Sequence, residues 1–202
     1  DNQGNVWRFN FENDSPAAWS VRKFFAGGQP VTAQPRVATA NGYAIIAFGS
    51  GRFVDENDRT ITAQQRLYGV YDPGPNYTGY PITPASLVLQ TSTTSVVNGR
   101  VLLSSSDNPV VVSATSLGWQ TNLIGVGERS IVAATSIFNP PRLIFPTFTP
   151  NGDPAAANDP CRETGISTIY VLNPENGGPA RSEGFAAFDV NGDGVINNND
   201  NP

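Results

Sequence analysis

Turn residues set the grain of this 202-residue chain: 20 Gly and 17 Pro interrupt it so often that no window keeps the period of an amphipathic helix. Between the interruptions lie short runs rich in Val, Ile, Phe, Tyr and Thr, residues whose branched or flat side chains pack on a pleated surface. Strands are expected at Gly4–Phe11, Arg36–Ala40, Tyr43–Gly49, Arg66–Tyr71, Leu87–Thr93, Ser95–Leu103, Gly118–Asn122, Arg129–Ala134, Arg142–Phe148 and Thr168–Leu172. Asn41-Gly42 and Asn98-Gly99 carry the residue pair that two-residue hairpin turns demand, because both turn positions need a positive φ. The fold class read from this pattern is all-β.

Two segments share one grammar of apolar strand, turn, apolar strand: residues 36–49 and 130–148. Runs apolar on both faces suit strands covered above and below, as in the inner strands of propeller blades. At about 40 to 50 residues per four-stranded blade, the chain supplies about four blades. Residues 1–202 are therefore expected to form one β-propeller region, part of a ring. The polar, Pro- and Gly-rich stretches at 55–58, 72–81 and 151–160 read as exposed connections.

Near the C-terminus, Asp189-Val-Asn-Gly-Asp-Gly-Val-Ile-Asn-Asn-Asn-Asp200 sets hard oxygen donors at the spacing of an EF-hand-like calcium loop. Such a loop binds through side chains at positions 1, 3 and 5, a main-chain carbonyl at 7, a water-assisted group at 9 and a closing carboxylate at 12. Those places hold Asp189, Asn191, Asp193, Val195, Asn197 and Asp200, with Gly194 at the sharp turn and Ile196 expected to anchor the loop to the body. The closing residue is Asp and not the longer, bidentate Glu. Calcium affinity is accordingly expected in the micromolar to millimolar range, about 10⁻⁶ to 10⁻³ M. The competing reading of an Asp- and Asn-rich stretch is a plain solvated turn.

Composition removes whole classes of chemistry. The chain has no His, which excludes Ser-His-Asp and Cys-His catalysis and His-ligated metals within it. Its one Cys, Cys161, makes no internal disulfide and holds no iron–sulfur cluster. It reads as a packed thiol or as a bond to another part of a longer polypeptide. A formal charge of -5, with a single Lys and scattered Arg, has the wrong sign for a nucleic-acid surface. No apolar run is long enough to span a bilayer, and none reads as a signal peptide. The start at Asp1 without Met fits a piece of a larger polypeptide, and low charge with abundant Gly, Pro, Ser, Thr and Asn fits a secreted or cell-surface β protein.

A set of pieces in order then carries a resemblance. Gly4-Asn-Val-Trp-Arg-Phe9, residues 29–37, Ala47-Phe-Gly-Ser-Gly-Arg-Phe53, Arg66-Leu-Tyr-Gly-Val-Tyr-Asp72, Gly118-Trp119, Gly127-Glu-Arg129, Asp159-Pro-Cys161 and Phe188-Asp-Val-Asn-Gly-Asp-Gly-Val195 run nearly the length of the chain. The string resembles the C-terminal β-propeller of PilY/PilC-type proteins, the adhesin and biogenesis factors associated with type IV pilus tips. The resemblance implies part of a modified, quinoprotein-like propeller without enzymatic activity, on a secreted protein at the pilus tip or outer membrane. It also implies a role in pilus assembly, retraction control, adhesion and twitching motility, with pilins, minor pilins and host or surface ligands as partners. The metal ligands it carries over are Asp189, Asn191, Asp193, Val195 and Asp200, with Ca2+ as the cofactor. No Arg-Gly-Asp tripeptide is present.

Other residues invite function and have blander readings beside it. Asp55, Glu56 and Asp58 resemble a second cation site but read as an exposed acidic turn. Trp7, Trp19 and Trp119 with Tyr68, Tyr71, Tyr77 and Tyr80 invite the reading of a carbohydrate-stacking surface; packing is the expectation for the Trp residues, and Tyr77 and Tyr80 are the better binding candidates. Glu128 beside Arg129 has no second carboxylate to complete a glycosidase pair, so a hydrogen bond or ion pair is expected. A propeller enzyme, quinone-dependent dehydrogenase or glycosidase, is one alternative class; a dockerin-like assembly module, which needs a second calcium loop, is another.

Overall fold

The computed structural model describes residues 1–97, 100–150, 165–182, 185–186, 189, 191–197 and 200. The Asn98-Gly99 turn, the 151–160 connection and Cys161 lie outside the described residues. The described residues form strands β1 (Asn5–Asn10), β2 (Ser20–Ala26), β3 (Arg36–Ala40), β4 (Tyr43–Gly49), β5 (Arg66–Tyr71), β6 (Val88–Gln90), β7 (Ser92–Val97), β8 (Arg100–Ser105), β9 (Gly118–Asn122), β10 (Thr135–Phe138), β11 (Pro141–Thr149), β12 (Ile166–Leu172), β13 (Arg181–Ser182) and β14 (Phe185–Ala186). Among the described residues the rest is turns, connections and three short 3-10 segments, and no helix is long and apolar enough to cross a membrane.

The strands fall into sheets β1-β2, β3-β4-β5-β9-β6, β7-β8, β10-β11-β12 and β13-β14. Four-stranded blades are not what the described residues form; the sheets hold two to five strands. The reason lies in β6, which pairs with β9 in parallel, so the chain must leave the sheet through the β7-β8 hairpin and return. The hairpin β3-β4 turns at Asn41 and Gly42, with φ of 53° and 78°, as the Asn-Gly pair requires.

The five-stranded sheet is the middle layer. Alternation along its strands sends Ala38, Ala47, Leu67 and Trp119 to one side, where they meet Leu143 and Phe145 of β11 and Tyr170 and Leu172 of β12. Phe48, Tyr68 and Val70 go to the other side and meet Phe24 and Phe25 of β2. Three sheets thus stack face to face, which is how neighbouring propeller blades cover one another. Trp119 fits tightly in the stack: it lies against Gly69, its partner on β5, and against Gly177, and a Cβ at either glycine would fall 2.3 or 2.4 Å from the indole. Its indole N–H donates to the Pro174 carbonyl at 2.9 Å, so the buried ring leaves no polar group unpaired.

Candidate functional site

The C-terminal loop is built from side-chain oxygens that accept the loop's own backbone N–H groups. Asp189 takes Gly192 N–H at 2.6 Å and Gly194 N–H at 2.8 Å, and both glycines have the positive φ (80° and 84°) that lets the chain wrap the carboxylate. Asn191 Oδ1 accepts from Asp193 N–H, and Asp193 Oδ1 accepts from Val195 N–H, each at 2.8 Å. Asp200 closes the loop: its Oδ1 accepts Asn191 N–H at 3.2 Å and its Oδ2 accepts Asn197 N–H at 2.7 Å.

These are the donors that a hard cation takes, and each carboxylate oxygen that accepts one N–H keeps a second lone pair. The chemistry of the set fits calcium. Its geometry is more open than a closed coordination shell: among the described residues no three His, Cys, Asp or Glu converge as a metal-holding group. Asp189, Asn191, Asp193, the Val195 carbonyl and Asp200 are the residues that would hold an ion. The expected anchor is corrected. Ile196 is half-exposed and so does not anchor the loop as an apolar plug, whereas Asp200 is wholly buried and closes the loop on itself through the Asn191 and Asn197 amides.

The acidic turn at 55–58 is only partly exposed. Asp58 is wholly buried and is the return half of the capping box whose N-cap is Asp55, at the start of the 3-10 segment Glu56–Thr60: Oδ2 accepts Val54 N–H at 2.8 Å and Asp55 N–H at 3.1 Å, while Arg52 donates twice to Oδ1, at 2.9 and 2.7 Å. The Val54 amide first, then the Arg52 guanidinium, hold its carboxyl down to about 2. The charge that meets this carboxylate is an arginine.

Glu128 and Arg129 are both buried, yet they bond to different groups. Glu128 accepts from the Thr147 hydroxyl, from Tyr170 OH at 3.2 Å and from Gly125 N–H at 2.7 Å. Burial first, then the Glu128 charge, push the Tyr170 hydroxyl far up, which keeps it a donor. Arg129 donates to four main-chain carbonyls: Gly127 at 2.9 Å, Arg52 at 2.8 Å, Asp58 at 2.7 Å and Ile61 at 3.0 Å. Glu128 also lies on the wall of an open cleft of about 490 Å³ formed by the 59–62 segment, the 124–127 connection and the start of β12. Its hydrogen-bonding partners among the described residues are a hydroxyl pair and an amide, with no carboxylate beside them.

The aromatic expectations divide. Trp119 packs in the core as expected, but Trp7, on the outward face of β1, and Trp19, just before β2, are exposed. Tyr77 and Tyr80 are not free binding groups: their rings meet edge to face at 5.1 Å against the core, Tyr77 OH donates to Ala114 carbonyl, and Tyr80 OH bonds to Asp72 and Gly74. Sequence reading missed the arginine cage and the buried Asp58. The one signal available was the proximity of Arg52 to Asp58, six residues apart across a Pro-free turn.

Comparison with known proteins comes from three directions. Residues 1–90 match the family model of the PilY1 beta-propeller domain. The chain is similar to a type IV pilus biogenesis factor PilY1 homolog of Xylella fastidiosa, 29% identical over 203 residues, and to the type IV pilus biogenesis factor PilY1 of Pseudomonas aeruginosa, 28% identical over 254 residues. Those alignments take in 89% and 97% of this chain but only 13% and 21% of the two relatives. In three dimensions it is similar to the crystal structure of the Pseudomonas aeruginosa PilY1 C-terminal domain, with a TM-score of 0.71 and 23% identity over 97% of this chain and 46% of that one.

Proposed function

We propose, from the premise that this chain is a β-propeller region of the PilY1 type, that it serves a type IV pilus biogenesis factor as a non-enzymatic, calcium-binding structural region. The observation that carries the reading is the shared fold over 97% of the chain, joined to the family match and to relatives named as pilus biogenesis factors. In this reading the region works outside the cell, at the pilus tip or the outer membrane. There it supports assembly, restrains retraction and contributes to adhesion and twitching motility, with pilins or minor pilins as partners and host or abiotic surfaces as adhesive targets. The propeller comprises about four blades' worth of chain, with the metal loop at 189–200.

Asp189, Asn191, Asp193, the Val195 carbonyl and Asp200 would hold the ion, which when bound would neutralise the charge of the three carboxylates. The chain's own part is to present these oxygens on a turn already set by Gly192 and Gly194, with the buried Asp200 held by the Asn191 and Asn197 amides. Glu128, the residue that most invites a hydrolytic reading, spends its carboxylate on Thr147, Tyr170 and Gly125.

The test pairs the isolated chain with the gene in its host. Calcium is expected to raise the melting temperature of the chain, and Asp189→Ala or Asp193→Ala to abolish that rise; the same substitutions in the host are expected to reduce surface piliation or twitching. An unchanged calcium response in both variants sinks the metal site. Normal piliation and motility after removal of the whole region sinks the pilus role.

A further inference from the structure

Among the described residues, the outer face of β1-β2 is apolar and uncovered. On β1, Trp7 and Phe9 alternate outward, and Phe11 continues the row beyond the strand's end. On the paired strand Val21 stands opposite Phe9 and Lys23 opposite Trp7, while Trp19 meets Phe11 edge to face at 4.9 Å. Trp7, Phe9, Phe11, Trp19 and Val21 are 45%, 60%, 60%, 48% and 55% exposed. A contiguous row of this kind marks an interaction surface, in contrast with the singly scattered apolar residues of ordinary surfaces.

We infer that this face is an inter-blade contact, built to receive the apolar face of one further β-sheet of the natural polypeptide that carries this chain. Continuity with the existing contacts is the first argument. The opposite face of β1-β2 sends Phe24 and Phe25 into the middle sheet, and the middle sheet's second face packs on β10-β11-β12. The aromatic row occupies the next layer position of the same stack. The second argument is chemical. Both indole N–H groups are already satisfied by the chain itself, Trp7 on Asp1 at 3.0 Å and Trp19 on the Asn13 carbonyl at 2.8 Å. The rings therefore offer apolar surface and no donor, which suits an aliphatic or aromatic sheet face better than a sugar that needs hydrogen bonds beside its stacking plane. Lys23, 5.6 Å from the Trp7 ring, adds a cation to the patch. Third, the matched fold extends well past this chain, which covers 46% of that domain. The inference rests on the propeller reading and is independent of calcium and of any pilus role.

The experiment compares the 202-residue chain with the longer natural polypeptide. In the short chain, acrylamide is expected to quench Trp7 and Trp19 fully and to spare Trp119; in the longer one all three are protected. Phe9→Asp is expected to leave the short chain's melting temperature unchanged and to lower that of the longer polypeptide by at least about 4 °C. Equal quenching in both, or equal destabilisation of both by Phe9→Asp, overturns the inference. So does concentration-dependent dimerisation of the longer polypeptide that alone protects the two rings, which assigns the face to a second copy, and so does protection only on adding oligosaccharide.

Discussion

A carboxylate removed from water is held in its charged form at Asp58 by two backbone amides and a guanidinium. That has a pH signature. Its folded-state pKa, near 2, lies below the ordinary 3.8. A depressed carboxylate contributes stability that is fully present above the unfolded value and disappears as pH falls through the folded one. Asp58 therefore supports the fold at neutral pH, and its contribution fades between about pH 4 and pH 2. Asp58→Asn keeps the shape but loses the charge-assisted bonds to Arg52. The variant is expected to melt well below the parent at pH 7, with the gap narrowing across that acid window; a gap constant from pH 7 to pH 2 would mean the charge does nothing. At this scale sequence says little, because Asp58 reads like any acidic turn residue until Arg52 and the Val54 amide are brought round it.

Strands and turns were far more legible. Arg36–Ala40, Tyr43–Gly49, Arg66–Tyr71 and Gly118–Asn122 form where apolar alternation places them. β2 was hidden by Arg22-Lys23 in its middle, and both charges are absorbed by rings: Arg22 lies 5.3 Å from Tyr80 and Lys23 5.6 Å from Trp7. The run Arg129–Ala134 looked like a strand but makes only one bridge, Arg129 to Phe148, since its arginine is committed to the carbonyl cage; the strand begins later, at Thr135. Leu87–Thr93 divides between β6, which pairs with β9, and β7, which pairs with β8. The Asp- and Asn-rich loop at 189–200 was legible as a spacing of oxygen donors, whereas the complete burial of Asp200 was not. Two glycines separate the conformational from the steric demand on an element. Gly42 has positive φ with nothing near its missing Cβ, and Gly69 has Trp119 pressed against it. Gly42→Ala should cost about 1–2 kcal/mol through the left-handed backbone alone. Gly69→Ala should cost at least as much through displacement of the indole and, unlike Gly42→Ala, should shift Trp119 fluorescence. Urea unfolding with emission spectra checks both, and an unshifted Gly69→Ala spectrum would show that the seam accommodates the methyl.

Across the whole molecule, the stack of sheets leaves the long connections to be fastened to one another, and Arg129 does this. Its guanidinium gathers carbonyls from the segment after β4 (Arg52), from the 3-10 turn (Asp58, Ile61) and from the connection after β9 (Gly127), while its own backbone pairs with Phe148 on β11. The middle sheet and the third sheet are thus tied at their rim by one cation that has Asp58 as its nearby countercharge. Burial lowers the guanidinium's pKa, and an arginine still remains charged at any pH the fold survives. A hydrogen bond to a charged group contributes about 1.5–3 kcal/mol, so Arg129→Gln, which gives up most of four, is expected to cost more than about 3 kcal/mol in urea unfolding. Arg129→Lys separates charge from shape. It keeps the positive charge beside Asp58 but replaces a planar fork of five donors with a point ammonium that cannot reach carbonyls on opposite sides of the cage. Its cost should fall close to that of Arg129→Gln, with an unchanged dependence on urea concentration that marks intact cooperativity between the sheets. A lysine variant as stable as the parent would show that charge alone holds the rim, and a lowered urea dependence would show that the two sheets have begun to unfold separately.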